Sequence, residues 1–346
     1  MSSVLRVSAG TGRRFPPVPE WPFEPAPDWP FSDATQRWNL KGSRLLFPSH
    51  RRGSPMFTGL SAFPLTPTDE SGVDEKAFAG LVARLAEAGV DSIGALGSTG
   101  GYAYLTREER ARAARTAVDA AGGVPVVVGI GALRTSQVRA LAEDAQQAGA
   151  SALLLAPVSY QPLTDDEVFG LYEDISREVS VPLCVYDNPG TTHFTFSDEL
   201  HGRIAALPNI GAVKIPGIPA DQAPDRIAAL RSTLPGHAAI GVSGDAFAAG
   251  GLSAGADLWF SVIGGLLPQQ CLAITRAAAD GDADRATALS ERMEPLWALF
   301  RRYGSQRVTS AAAEHLGLVS HPNLPKPLRG LDAAARREVA DALEAL

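Results

Sequence analysis

A single lysine, Lys214, stands near the carboxyl end of the short apolar run Ile210-Gly-Ala-Val-Lys-Ile-Pro-Gly217. Read as a strand, the run places Ile210, Ala212 and Lys214 on one face and Val213 and Ile215 on the other. Two readings of the lysine stay open. Its amine reaches water or a carboxylate from the strand's end, or it is desolvated enough to stay uncharged and attack a carbonyl carbon. The second reading needs a group that can give and take protons while carbinolamine and imine form and break. Tyr186, which closes another apolar run ahead of Asp187-Asn-Pro-Gly-Thr-Thr192, is suited to that role, especially if a hydroxyl from Ser98 or Thr99 feeds it. Those two hydroxyls belong to Gly97-Ser-Thr-Gly-Gly101, whose glycines Gly97 and Gly100 would let a substrate carboxylate approach backbone amides closely. Taken singly, each has a plainer reading: the glycine-rich segment as a turn, Tyr186 as an aromatic with its hydroxyl in water, and Asp245 of Ser243-Gly-Asp245 as a helix cap.

Positioning these groups together requires that they lie at equivalent ends of strands. From Phe57 onward, short apolar runs alternate with amphipathic helical stretches, the signature of strand-helix units in a parallel sheet. Eight strands are expected, at 57–63, 92–96, 124–129, 152–156, 181–186, 210–215, 238–242 and 258–262. Eight closes a barrel. Thr106-Arg-Glu-Glu109 and Thr164-Asp-Asp-Glu167 read as capping boxes, and Gly89, Gly149 and Gly255 recur just before strands as helix stops. The fold class is therefore α/β, a (β/α)8 barrel of the TIM type over 56–281, with further helical patterns at about 282–302, 307–316 and 332–345 forming a C-terminal helical appendage over 282–346. In such a barrel the loops after the strands' carboxyl ends form the active site. Lys214, Tyr186, Ser98, Thr99, Thr191, Thr192, Ser243 and Gly244 would all gather there.

Residues 1–55 differ. They hold nine of the 26 prolines and three of the five tryptophans, and their charge is +4 (eight basic, four acidic), against −11 for the remainder of a chain whose net charge is −7. This reads as a flexible or surface-clinging extension in which Trp21, Trp29 and Trp38 leave room for a docking role; Met56 is an alternative natural start.

The acidic balance, with no basic stripe along a helix, argues against nucleic acid. Cys184 and Cys271 sit in no ligand-spaced motif, so neither a disulfide framework nor a zinc cluster is expected and a reducing cytoplasm is the default. No apolar run has the length of a membrane span, and no signal peptide is evident. The six histidines show no compact metal-ligand spacing, and Gly129-Ile-Gly131 starts a dinucleotide-like turn but has Arg134 where the third glycine belongs. No metal or organic cofactor is expected.

In order along the chain, Gly59-Leu-Ser-Ala-Phe-Pro-Leu-Thr-Pro67, Gly97-Ser-Thr-Gly100, Tyr186 with Asn188-Pro189, and Val213-Lys214 resemble the dihydrodipicolinate synthase and N-acetylneuraminate lyase family of class I aldolases. The resemblance covers 56 to about 330. It implies that Lys214 forms an imine with pyruvate or another 2-oxo acid, that Tyr186 relays the proton, that Ser98 and Thr99 hold the hydroxyl network and the substrate carboxylate, and that the barrels assemble as a homotetramer or homodimer. The chain departs from the synthases of this family at three places. Gly101 replaces an acidic residue, Ser159 stands where one of a pair of tyrosines is expected, with Tyr160 one residue later, and Thr191 replaces an arginine that grips the aldehyde's carboxylate. The expected activity is a Schiff-base lyase or aldolase joining or cleaving a 2-oxo acid and an aldehyde or hydroxy-oxo acid. True 4-hydroxy-tetrahydrodipicolinate synthase, a sugar-acid dehydratase, and a catalytically silent barrel that binds a 2-oxo acid or a protein partner are the alternatives.

Overall fold

The computed structural model describes residues 56–346; the proline- and tryptophan-rich stretch 1–55 and the docking role considered for it lie outside the described residues. Eight parallel strands close a barrel: β1 Gly59–Ala62, β2 Ser92–Ala95, β3 Val126–Gly129, β4 Ala152–Leu155, β5 Leu183–Tyr186, β6 Ile210–Ile215, β7 Ala239–Val242 and β8 Leu258–Ser261, with β8 hydrogen-bonded back to β1. Each is the core of an apolar run in the sequence. Helices follow in the connections, and both threonine-led boxes form as read: Thr106 accepts from the Glu109 amide while the Glu109 side chain accepts from the Thr106 amide, and Thr164 and Glu167 do the same. Gly89 adopts a φ of 74°, a left-handed turn that ends the first helix without the penalty a Cβ would incur.

Two apolar layers result. Leu60, Val128, Val185, Val213 and Ile215 point outward onto the helices, while Phe63, Leu154, Cys184, Tyr186, Ala212 and Phe260 fill the barrel's interior. Strand alternation fails once, at β6. Ile210 packs with the outer layer, not beside Ala212, because the β5–β6 register slips between Leu183 and Cys184 and leaves Gly211 as an extra residue. This β-bulge re-aims the strand. A side chain on Gly211 would meet the Phe57 ring at 2.8 Å and Pro182 at 3.1 Å, so a larger residue here would have to displace the ring.

Beyond the barrel helix Pro268–Ala279 the chain continues through helices Ala283–Arg292, Glu294–Tyr303, Ser305–His315 and Ala333–Glu344. The stretch expected as one helix over 282–302 breaks at Met293, whose backbone leaves the helical region just ahead of Pro295, a residue that lacks an amide to continue the ladder. A small antiparallel hairpin, Thr68–Asp69 with Gly72–Val73, is also present and was not expected. No helix among the described residues is long and apolar enough to cross a membrane.

Candidate active site

Lys214 and Tyr186 are register partners on β6 and β5, so both side chains enter the barrel at the carboxyl ends of neighbouring strands. The lysine is 6% exposed and the tyrosine 3%, each at the bottom of a cavity of about 330 Å³. The amine nitrogen, Lys214 Nζ, lies 4.5 Å from the centre of the Tyr186 ring, 4.8 Å from that of Phe63 and 5.3 Å from that of Phe260. It forms no ion pair among the described residues. Of the two readings left open for this lysine, pairing with a carboxylate therefore fails, and so does escape to water. The surroundings are three aromatic faces.

That floor is built by glycines. A Cβ at Gly94 would lie 2.2 Å from the Phe63 ring, one at Gly97 2.6 Å from it, and one at Gly241 2.2 Å from the Phe260 ring. The absent side chains leave the volume into which the two phenylalanines pack edge to face, with centroids 5.9 Å apart. Gly97 thus serves packing as well as the turn.

The turn after β2 carries Ser98 and Thr99 to the cavity wall. It begins at Leu96, a non-glycine residue in left-handed conformation (φ 58°), which turns the Leu96 carbonyl toward β3. A Cβ at Gly129 would lie 2.0 Å from that carbonyl oxygen, so glycine is required there. The Gly129-Ile-Gly131 segment consequently plays a structural part, in which the buried Arg110 guanidinium donates to the carbonyls of Gly129 (3.0 Å) and Gly131 (2.9 Å). Burial lowers the Arg110 pKa to about 10 and raises that of Tyr102, whose ring faces it at 5.1 Å, to about 12.

After β5, Asn188 Nδ2 donates to the Tyr186 hydroxyl at 3.0 Å, leaving that hydroxyl free to donate in turn. Neither Ser98 nor Thr99 bonds to it in this state. Thr191 lines the cavity from the one-turn helix Pro189–Thr192, whereas Thr192 is buried behind it with its hydroxyl donating to the Asn188 carbonyl at 3.0 Å. Ser243 and Gly244 line the opposite wall, the Ser243 hydroxyl donating to the Ile215 carbonyl at 2.8 Å. Asp245 is no helix cap. Its carboxylate accepts from Trp259 Nε1 and the Val262 and Ile263 amides at 3.0, 3.1 and 2.8 Å, tying the loop after β7 to β8, and burial raises its pKa. Ser159 and Tyr160 do not reach the cavity. Between Pro157 and Pro162 the chain turns outward, the Ser159 hydroxyl bonds to the Gln161 carbonyl, and Tyr160 stands 89% exposed.

The remaining wall comes from a part of the chain where no chemistry was read. Trp297, Phe300 and Arg301, on helix Glu294–Tyr303, and Ser305 close the cavity from above. An apolar pair at i and i+3 with an arginine at i+4 is a helix face that must cover something; what it covers is set by the tertiary fold.

Beneath the loop, Asp187 and His201 form a buried pair, Oδ2 to Nε2 3.5 Å, with the imidazole stacked on Phe196. Burial moves Asp187 up to about 7 and His201 down to about 4, so it favours the uncharged form of both and this is not a fixed ion pair. Among the described residues no cluster of three or more His, Cys, Asp or Glu is placed to hold a metal ion, and Cys184 and Cys271 are buried free thiols.

The sequence matches the model of the dihydrodipicolinate synthetase family over residues 56–346. It is 32% identical over 292 residues to a 4-hydroxy-tetrahydrodipicolinate synthase of Phenylobacterium zucineum (84% of this chain, 97% of that one) and 33% identical to one of Hyphomonas neptunium (83% and 98%). Its structure is similar to that of a dihydrodipicolinate synthase from Agrobacterium tumefaciens, with 50% identity, a TM-score of 0.81 and coverage of 84% of this chain and 98% of that one. The Acinetobacter baumannii dihydrodipicolinate synthase, solved in complex with pyruvate, is 27% identical with a TM-score of 0.77, covering 84% and 98%.

Proposed function

This chain belongs to the dihydrodipicolinate synthetase family of Schiff-base lyases, and on that premise we propose that it joins pyruvate or a related 2-oxo acid to an aldehyde, or cleaves the corresponding hydroxy-oxo acid, through an imine on Lys214. The observation that carries this reading is the position of Lys214 Nζ, buried against the Tyr186 ring at the floor of a cavity. The neutral amine attacks C2 of the oxo acid to give a carbinolamine. Tyr186 supplies the proton that lets the former carbonyl oxygen leave as water, and the iminium remains. The Tyr186 oxygen, deprotonated in that step, takes a C3 proton from the iminium to give an enamine, whose C3 adds to the aldehyde carbon while the hydroxyl returns the proton to the aldehyde oxygen; water then releases the product and the free lysine. Asn188 orients the Tyr186 hydroxyl, while Ser98, Thr99 and the amides of their turn receive the oxo acid's carboxylate. The aromatic floor excludes water from the nitrogen. No step calls for a metal or organic cofactor.

Hydrogen exchange at the pyruvate methyl group in D2O, followed by NMR, tests the imine-enamine sequence without knowledge of the second substrate. Exchange catalysed by the protein and lost in Lys214→Ala is expected; exchange no faster than in buffer would sink the reading.

The relatives' names favour 4-hydroxy-tetrahydrodipicolinate synthase as a second reading, which turnover with aspartate semialdehyde would establish. Against it stands Thr191, a cavity-lining hydroxyl at the position where the family resemblance implies an arginine for a synthase, and a missing charge-assisted contact costs about 1.5–3 kcal/mol. The chain is further proposed to work as a homodimer or homotetramer in the cytoplasm, as the family resemblance implies, and sedimentation tests the assembly.

A further inference from the structure

We infer that Arg301 is a specificity-determining residue that receives a second carboxylate at the far end of the substrate chain. The inference rests on the Schiff-base reading of the same cavity. Lys214 and Arg301 are the cationic side chains among the residues that line it, one on the floor from β6 and one at the rim from helix Glu294–Tyr303. At about 30 Å³ per water-sized group, the six heavy atoms of pyruvate take roughly half of the 330 Å³. The rest belongs to the substrate's extension, and its walls are unequal. The Phe300 and Phe247 rings and Val262 are apolar, Thr191 and Ser305 offer hydroxyls, and the one other formal charge, Asp245, is turned away into its three donors. The remaining place for a second anion is at Arg301.

Arg301 is held there. Its guanidinium pairs through one Nη with Glu294, two turns earlier on the same helix, and a guanidinium has five N–H donors, so others remain for a ligand in the cavity that Arg301 lines. The charge that Thr191 cannot supply from the loop after β5 therefore enters from helix Glu294–Tyr303, and the distal carboxylate of the preferred substrate lies at a different place from one gripped beside Thr191. The substrate class is a dicarboxylic 2-oxo acid or the hydroxy-oxo acid derived from it. Since Arg301 is 58% exposed, the contact is solvent-screened, and its effect belongs at the low end of charge-assisted hydrogen bonds, about ten-fold in affinity.

Borohydride trapping of the Lys214 imine, read as the half-saturating concentration for matched 2-oxo acids, tests this directly. The pairs are 2-oxoglutarate against 2-oxopentanoate and 2-oxoadipate against 2-oxohexanoate. In at least one pair the dicarboxylate should trap at about ten-fold lower concentration. Arg301→Gln should remove the difference, Arg301→Lys should retain part of it and Glu294→Gln should increase it, each half-saturation being taken relative to that of pyruvate in the same protein. Equal half-saturation within both pairs in the unaltered protein, or a preference that survives Arg301→Gln, overturns the assignment while leaving the Schiff-base reading intact. Absence of trapping with pyruvate itself overturns both.

Discussion

Tyr186 and Lys214 face each other in register across adjacent strands, and the lysine nitrogen stands 4.5 Å from the centre of the tyrosine ring. Twenty-eight residues separate them in sequence (214−186), yet the hydrogen-bond ladder leaves little freedom in their relative placement. Tyr186→Phe keeps the ring that packs the nitrogen and removes only the proton-bearing oxygen. Turnover, or pyruvate methyl exchange, should fall by roughly 10²-fold or more, the usual scale of a lost proton-transfer group, with little change in thermal stability. An unchanged rate would take Tyr186 out of the mechanism.

Gly129→Ala probes the Ser98-Thr99 turn from behind. The new Cβ would lie 2.0 Å from the Leu96 carbonyl oxygen, and a backbone atom cannot swing aside as a side chain can. A cost of about 1–3 kcal/mol is expected from overpacking, and a shift of the turn by an ångström would lower turnover by about 10²-fold. Denaturant midpoints and rates together check this; a variant as stable and as active as the parent would show that the turn does not depend on this approach.

The Asp187 and His201 pair makes opposite contributions to stability as pH changes. Asp187, near 3.8 when unfolded and about 7 when folded, holds an extra proton in the native state between those values, so its contribution weakens as pH rises through them. His201, 6.5 when unfolded and about 4 when folded, binds its extra proton in the unfolded state, so its contribution strengthens as pH rises from about 4 to 6.5. Between pH 4 and 6.5 the two largely offset. Asp187→Asn leaves the histidine unopposed, and its unfolding midpoint should climb from pH 4.5 to 6.5 more steeply than that of the parent. Parallel profiles for the two proteins would contradict the opposed shifts.

Much of this arrangement was legible in the sequence, for identifiable reasons. Barrel strands are buried on both faces, so each announced itself as an apolar run, and the threonine-led boxes are local signals that hold whatever surrounds them. The bulge at Gly211 was not legible, because alternation is assumed until a register is seen. Gly97 reads as part of a turn and nothing in the sequence singles out Gly94 or Gly241, whereas in the fold all three leave space for the Phe63 and Phe260 rings. Lys214, Tyr186, Ser98 and Thr99 could be named because strand ends in a barrel converge. Arg301 could not. It is 87 residues past Lys214 (301−214), on a helix outside the repeating units, and reaches the cavity only through packing.

The central claim is that Lys214 is the amine that captures the oxo acid, and the chain's four lysines, Lys41, Lys76, Lys214 and Lys326, make the test unambiguous. The protein is incubated with pyruvate, reduced with borohydride, digested, and its lysine-bearing peptides weighed. A reduced pyruvate adduct on the Lys214 peptide alone, absent from Lys214→Ala, is the predicted result. An adduct on another lysine, or none with any 2-oxo acid offered, would contradict it.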